Sequence, residues 1–511
     1  MSANPFLSQV RPITPEPGET LFCETLVAGD TLAAYTAVLA ILRQGGTVCW
    51  VIPSDRLPQW PQAIDPLAAP NPTFRSLLGA QRYHLPPQGY LSQSQWDFWR
   101  RGRSQPIVSL PTDSEALAAN YAVAQATLPA LQRAIAPDLN PQGLTVITGA
   151  QPTQVLLSRR NGAQWVYQVA FRRQRQRLSF RIHAPLTLDA TAGAVLSQRL
   201  ATALAGEPQG TSQGTSTGEL AMVLPLTAAH GQPRAPRSAR GQCFADAIGV
   251  LPAVTPSPKD VDHSTDRPGW LRPLTLPLRA LIPQGVGGWL RVTQPPNPDP
   301  WGQLAQSAAC QWTLGEGAGS VARVHQRTGQ TCLTLATQPQ WQQALQRQLA
   351  AAGIPLFPFD DVAPDDPDFV AIHTLAAAGI VCTMCDRDLH FRPQTPVTYG
   401  VAATALGRLL GWQASMTEGS PVAQAVPRSH WAWRALVTAI ASGQLPLPPD
   451  QWPYPNRVLS RRTLAAWVRQ QLPPAGQLAA IVEDEAPARR RDLSRLLYGL
   501  WQAQATGAKM L

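Results

Sequence analysis

Gly29, Thr31 and Ala34 stand at the three places that a G-x-G-x-x-G turn gives to glycine, and that spacing binds the pyrophosphate of a dinucleotide. The first glycine makes the turn, the second lets backbone N–H groups reach phosphate oxygens, and the third lets the following helix lie close to its strand. Gly29 fits the first role and Ala34 the third. Thr31 sets a branched side chain where phosphate oxygens would meet bare amides, and Asp30 adds a negative charge beside them. An acidic residue about 20 positions further on normally accepts from a ribose hydroxyl. Here that strand ends in Val51-Ile52-Pro53, and Ile52 accepts nothing. A second constellation is Cys382-Thr383-Met384-Cys385, with His373 and His390 nearby. A zinc site would want a second pair or spaced histidines, and a redox pair would want a helix start after a strand. The pair instead follows a helical stretch and enters a Pro-rich loop, so it reads as ordinary thiols and no metal site is expected. His230 and His263 qualify as catalytic bases by residue type alone, and no catalytic residue is assigned.

The elements that must position the turn are legible. Leu21 to Gly29 reads as a buried strand, Thr31 to Gln44 as an Ala/Leu-rich helix, Gly45-Gly46 as its stop, and Thr47 to Ile52 as the next strand. Ser114 to Ala136 is helical by pattern. Leu144–Ile147, Thr153–Ser158, Trp165–Phe171 and Leu178–Ile182 read as strands, the middle two joined through Asn161-Gly162, a strong hairpin signal. Ala184 to Gly193 is a strand ending in Asp189 and small residues, which suits a crevice at the carboxyl edge of a sheet. Residues 206–267 are largely Gly/Ser/Thr/Pro/Arg-rich and read as a flexible insertion.

At 511 residues the chain is long enough for about three domains. A net charge of +10 invites a nucleic-acid reading, but the positive residues are nearly all Arg and scattered, so no nucleic-acid partner is expected. Arg489-Arg490-Arg491, beside Glu483, Asp484 and Glu485, reads as a solvated helix start. Seven cysteines, an odd and sparse set, do not make a disulfide scaffold. The first 20 residues lack a basic start and an apolar core, and the apolar stretch from Leu32 to Leu42 is too short to span a bilayer. A cytoplasmic location is expected, with cell-envelope association as the alternative.

Four stretches in order resemble the FAD-dependent oxidoreductase family. They are Val27-Ala28-Gly29-Asp30-Thr31-Leu32-Ala33-Ala34, Leu188-Asp189-Ala190-Thr191, Leu278 to Leu290, and Leu314-Gly315-Glu316-Gly317-Ala318-Gly319-Ser320-Val321-Ala322. The resemblance covers residues 20 to 350. It implies an α/β, Rossmann-like FAD/NAD(P)-binding fold with a β-rich insertion over residues 1–350, and FAD as cofactor. It also implies Gly29, Thr31, Ala34, Asp189, Gly315, Gly317 and Gly319 as cofactor-binding residues, with a helix that starts at Gly315 and turns its N-terminus to the flavin. Thr31 is usual for this branch of the family, whereas Asp30, Ile52 and Val292-Thr293-Gln294 depart from its pattern.

The last third carries an internal repeat at an offset of 64 residues: Val362, Phe369, Ile372 and Gly379 match Val426, Trp433, Leu436 and Gly443. Each copy continues to a cap, Thr398 or Ser460, before the helices Tyr399–Leu410 and Arg461–Leu472. The copies resemble the S-layer homology domain through Phe359-Asp360-Asp361-Val362 and Ser429-His430-Trp431-Ala432-Trp433. Repeats at 355–412 and 421–475 are expected, with a third half-repeat in a helical segment at 476–511. Tyr399-Gly400 stands where that family has an Arg and a Glu. The resemblance implies an all-α module that binds a cell-wall polymer, whereas the residues alone favour a helical packing or interaction module with a protein partner. Two functions follow: a flavin-dependent oxidoreductase of unassigned substrate, or a non-catalytic scaffold on the same fold.

Overall fold

The computed structural model describes residues 12–54, 92–94, 141–160, 163–173, 178–205, 246–251, 274–293, 308–359, 361–382, 390–412, 428–441, 443–445, 454–472 and 484–507. Among these, two compact units divide after Pro358. The first contains β1 (Thr20–Phe22), β2 (Thr25–Ala28), α1 (Leu32–Arg43), β3 (Val48–Ile52), β4 (Leu144–Thr148), β5 (Ala150–Arg160), β6 (Ala163–Arg173), β7 (Ser179–His183), β8 (Leu186–Asp189), α2 (Val195–Ala205), β9 (Ala247–Leu251), β10 (Leu274–Pro277), β11 (Val286–Gly287), β12 (Trp289–Arg291), α3 (Ala308–Thr328), α4 (Cys332–Thr337) and α5 (Pro339–Ala351).

β12, β8, β2, β3 and β4 lie side by side in that order, every pair parallel. Counted from β2, this is the 3-2-1-4-5 order of doubly wound dinucleotide folds, and it switches direction between β2 and β8. β2, β3, β8 and β12 are buried along their whole length, as parallel strands covered on both faces must be. α1 packs on β2 and β3, and α3 packs on α1. A second sheet, ordered β1-β7-β6-β11 with β5 on β6, is the β-rich insertion. Leu26, Val51 and Ile147 of the first sheet share one apolar core with Val155, Val169 and Phe171 of the second.

Two expectations are corrected. The strand read from Leu21 to Gly29 is two strands in different sheets: β1 pairs with β7, and β2 pairs with β8 and β3. The chain changes sheets at Cys23-Glu24, where Cys23 N donates to the His183 carbonyl at 3.1 Å. The region read as a flexible insertion contains β9, paired antiparallel with β10, with Ala247, Ile248 and Val250 fully buried. Asp246 anchors it through Arg279 at 2.7 Å. Four apolar residues and a glycine were enough for a strand once β10 paired with them. The Asn161-Gly162 hairpin is supported by the antiparallel β5–β6 ladder, which runs to Arg160 opposite Ala163. The turn itself, Ser114–Ala136, His230 and His263 lie outside the described residues.

The second unit contains α6 (Phe369–Ala377), α7 (Tyr399–Leu410), α8 (Trp433–Ala441), α9 (Arg461–Gln470) and α10 (Arg490–Gly507). α6 and α8 begin 64 residues apart and are each followed by a left-handed glycine, Gly379 at φ +73° and Gly443 at φ +69°. Thr398 and Ser460 cap α7 and α9 by accepting from Val401 N and Thr463 N. The segments before α7, α9 and α10 close a ring of backbone hydrogen bonds. Val397 N donates to Ala488 O at 2.7 Å, Ala488 N to Leu459 O at 2.8 Å, and Leu459 N to Val397 O at 2.9 Å. The stretch after Ala486 thus pairs with the segments that precede α7 and α9.

The triple-arginine run does start a helix, but it is not simply solvated. Arg490 is only 6% exposed, stacks over Phe391 at 4.4 Å and donates to the Cys382 carbonyl. Arg491 pairs with Asp366 at 3.1 Å, and Arg495 grips Asp368 through two bonds of 2.9 Å. The acidic neighbours in sequence suggested a surface; the partners come instead from the segments before and after α6. His373 is fully buried against Phe369 and Phe359. Among the described residues no cluster could hold a metal ion, Cys382 is a free thiol, and no helix is long and apolar enough to cross a membrane.

Burial pushes the His373 imidazole down from 6.5 to about 3, so it is neutral in the fold. Between those two values the unfolded chain binds a proton that the folded chain refuses, and stability falls as pH falls. His373 is expected to cost roughly 3 kcal/mol at pH 4 relative to pH 7. Urea denaturation of His373→Leu over that range should show this share of the acid sensitivity gone; an unchanged pH slope would refute it.

Candidate functional site

β2 ends at the switch point in Gly29, at φ +137°. Gly29 N donates to Val51 O at 2.9 Å, and Gly29 O accepts from Trp50 Nε1 at 2.8 Å. A Cβ at Gly29 would lie 1.9 Å from Ala190 O, because the chain leaving β8 passes directly over the turn. Only glycine fits here, for the shape of the turn and for the contact alike.

Thr31 is the N-cap of α1. Its hydroxyl donates to Ala190 O at 2.9 Å and accepts from Ala34 N at 3.2 Å. The branched side chain is therefore tied to the end of β8. Ala34 is fully buried, as a packing position should be. Among the described residues no acceptor meets the N–H groups of Leu32 and Ala33, and the first turn of α1 carries no acidic side chain. These two donors and the positive end of the helix are what an anion would use. Against them stand Asp30, whose carboxyl is pushed up by burial, and Ile52, fully buried and without an acceptor.

Asp189 is fully buried at the end of β8. Its Oδ1 accepts from Thr191 N at 3.1 Å and Thr191 Oγ1 at 2.6 Å. Its Oδ2 accepts from Ser197 N at 2.7 Å and Ser197 Oγ at 2.5 Å. Burial pushes this carboxyl up, while those four bonds pull it down. With both oxygens engaged, Asp189 holds the entry to α2, where Gly193 and Ala194 take left-handed angles of +70° and +53°. Opposite Asp189 in register is Arg291 of β12, a cation that sequence reasoning did not single out.

Gly315, Gly317 and Gly319 do not open a helix. α3 begins at Ala308, so all three lie inside it. A Cβ would sit 2.1 Å from Ala33 O at Gly315, 2.4 Å from Ala37 O at Gly319, and 2.6 Å from Ile248 O at Gly317. Gly315 and Gly319, one turn apart, let α3 press against α1, and Gly317 makes room for β9. Thr36 Oγ1 crosses the same seam to Trp312 O at 3.2 Å. Each interior glycine costs about 1 kcal/mol of helix propensity relative to alanine, which is why the stretch reads as a terminus. Close packing outweighs that cost. Between them, Glu316 is buried and pushed up by burial; it accepts from Ser94 at 2.8 Å, and Arg43 lies 3.9 Å away. The structure therefore brings Gly29, Thr31 and Asp189 together at one edge, while Gly315 and Gly319 serve the helix seam and Gly317 the contact with β9.

At the opposite, amino edge of the sheet a cleft of about 350 Å³ is lined by Glu24, Arg160, Trp165, Tyr167, His183 and His325. His325 Nδ1 faces the Gln330 carbonyl at 2.7 Å, which can only accept, so Nδ1 carries the proton there. No motif marks these residues in the sequence, since they come from separate strands and a helix end.

No family model matches the chain, and no curated protein matches it. Among solved structures it is similar to THI4 of Thermovibrio ammonificans, with 10% identity, a TM-score of 0.28, and coverage of 60% of this chain and 91% of that one. It is similar to Sdh1 of Mycobacterium smegmatis in complex with UQ1, with 12% identity, a TM-score of 0.27, and coverage of 61% and 70%. It is similar to L-proline dehydrogenase from P. horikoshii at 12% identity and a TM-score of 0.16, over 34% of this chain and only 24% of that one.

Because a Cβ at Gly315 meets the backbone of α1, Gly315→Val is expected to destabilise the chain by about 3 kcal/mol or more, while Gly285→Ala, where a Cβ meets nothing but φ is +72°, should cost only the strain of a left-handed alanine, about 1 kcal/mol. Chemical denaturation of both variants measures this. A stable Gly315→Val would show that the seam is not close-packed.

Proposed function

We propose that this chain is a flavoprotein of the FAD-dependent oxidoreductase type. The observation that carries the reading is the Gly29 turn, set at the switch point of a 3-2-1-4-5 parallel sheet and leading into a helix whose Leu32 and Ala33 amides meet no acceptor among the described residues. In this reading the N–H groups of Leu32 and Ala33 hold the pyrophosphate of FAD, and Gly29 and Thr31 shape the turn beneath it. When bound, FAD supplies the two-electron acceptor of such a reaction. The residues of this chain bind and orient it; no base among them is assigned, and the substrate follows from none of them.

A second reading, a non-catalytic scaffold, is favoured by Asp30 and Ile52, which oppose the pyrophosphate and the ribose respectively. In that reading the C-terminal repeats bind a protein or a cell-wall polymer. Trp431 supports it, being 49% exposed, whereas Trp433 is 8% exposed and part of the core. Tyr454, 76% exposed, presents a second aromatic on the same unit.

Absorbance of the purified full chain separates the readings. Flavin bands, or a thermal shift with added FAD, support the flavoprotein; a colourless preparation unmoved by FAD supports the scaffold. The Asp30 carboxyl is raised, so it becomes neutral at a higher pH than an ordinary aspartate, and its repulsion of the pyrophosphate fades as pH falls. FAD is expected to bind more tightly at lower pH, and Asp30→Gly to tighten binding about tenfold and flatten that profile. Titration by fluorescence quenching reads both. Equal affinity in the variant would clear Asp30 of the role.

A further inference from the structure

Arg291 ends β12, on the same carboxyl edge as the Gly29 turn, and is 5% exposed. It lies in register with Asp189, and residues paired in register across parallel strands share a face of the sheet. Asp189 is the charge that acts on it, yet both Asp189 oxygens are already taken by Thr191 and Ser197. The Arg291 Nε is buried without an acceptor among the described residues. Two residues earlier on the same strand, and therefore on the same face, the buried Nε1 of Trp289 also lacks an acceptor. A buried guanidinium nitrogen without an acceptor is costly, and folded proteins almost always match such a group. Directly above it the chain curls over β8, Val292 N and Thr293 N both donating to Asp189 O and Thr293 Oγ1 donating to Thr191 O, which fixes the strand end that carries Arg291.

We propose that Arg291 is the anchor for an oxyanion, a carboxylate or phosphate group of the molecule bound at the switch-point crevice. The guanidinium fork suits both groups, which it takes through two parallel bonds. The proposal rests on the crevice being a ligand site, as in the flavoprotein reading, but not on the ligand being FAD. Phosphate would make Arg291 a substitute for the phosphate-binding features that Asp30 disturbs. Carboxylate would make it the residue that selects an acidic substrate. Its role as a mere counter-charge to Asp189 makes the opposite prediction about stability, because removing a counter-charge leaves a buried carboxylate exposed to its full desolvation cost.

The test is thermal unfolding of the full chain at constant ionic strength, with inorganic pyrophosphate, ADP or succinate as probes. The variants are Arg291→Met, Arg291→Lys and, as a surface control, Arg181→Met. For the parent chain a Tm rise of about 3 °C or more is expected with the phosphate probes or with succinate, and whichever group acts identifies the source. Arg291→Met should lose that rise while unfolding no earlier than the parent without ligand. Arg291→Lys, which keeps charge but not the fork, should retain a reduced rise, and it carries the test if the Met variant does not fold. Arg181→Met should respond like the parent. A rise that survives in Arg291→Met, a parent that responds to no probe, or a Met variant that folds but is destabilised with its response intact overturns the proposal. Flavin absorbance keeps the two readings apart. An oxyanion response in a colourless protein refutes only the flavoprotein, and bound flavin with no dependence on Arg291 refutes only the anchor.

Discussion

The first unit is organised by one contact, the backbone of Gly29 against the backbone of Ala190. Two strands that neighbour each other in space but lie far apart in sequence both end here, and there is no room for a side chain between them. The contact sets the φ of +137° at the turn, lets Thr31 reach across to the Ala190 carbonyl, and so fixes where α1 begins. Trp50 and Val51 hold the turn from the other side through Gly29 O and Gly29 N. The same glycine that would serve a bound phosphate is thus required by the protein alone. A glycine kept at this place is evidence of the fold first and of a ligand second.

The same distinction runs through the later glycines. Gly315 and Gly319 face Ala33 and Ala37 of α1, so the two helices lie backbone to backbone over the sheet. The Ala/Leu composition that made α1 easy to read is the complement of this seam, since only small residues allow so close an approach. Propensity pointed to a helix end at Gly315, and packing overrode it.

Much of the parallel sheet was legible, because buried strands such as Val48–Ile52 and Leu186–Asp189 read as short apolar runs bounded by turn residues. The hairpin was legible from Asn161-Gly162, and the caps Thr398 and Ser460 from their place before Ala/Leu-rich helices. What local pattern could not supply was pairing between distant segments. Leu21 to Gly29 looks like one strand until its two halves find β7 and β8. β9 is invisible inside polar sequence until β10 pairs with it. The Arg489 to Arg491 run looks solvated until Asp366 and Asp368 arrive from elsewhere, and Arg291 looks like one basic residue among many until the register sets it beside Asp189. At the site, the turn was visible, while the fate of each side chain depended on a strand more than 150 residues away, as the Thr31 bond to Ala190 illustrates.

The ring formed by Val397, Leu459 and Ala488 couples three segments that no single copy of the repeat can complete. Each link gives one amide proton and takes one, so opening any member strands a donor in one neighbour and an acceptor in the other. Such a closed circuit is cooperative by construction: the helical copies cannot behave as beads that fold and unfold one at a time, as stacked solenoid repeats do. Its last member enters late in the chain, about ninety residues after the first, so during synthesis the Val397 amide and the Leu459 carbonyl must wait for their partner until Ala488 emerges.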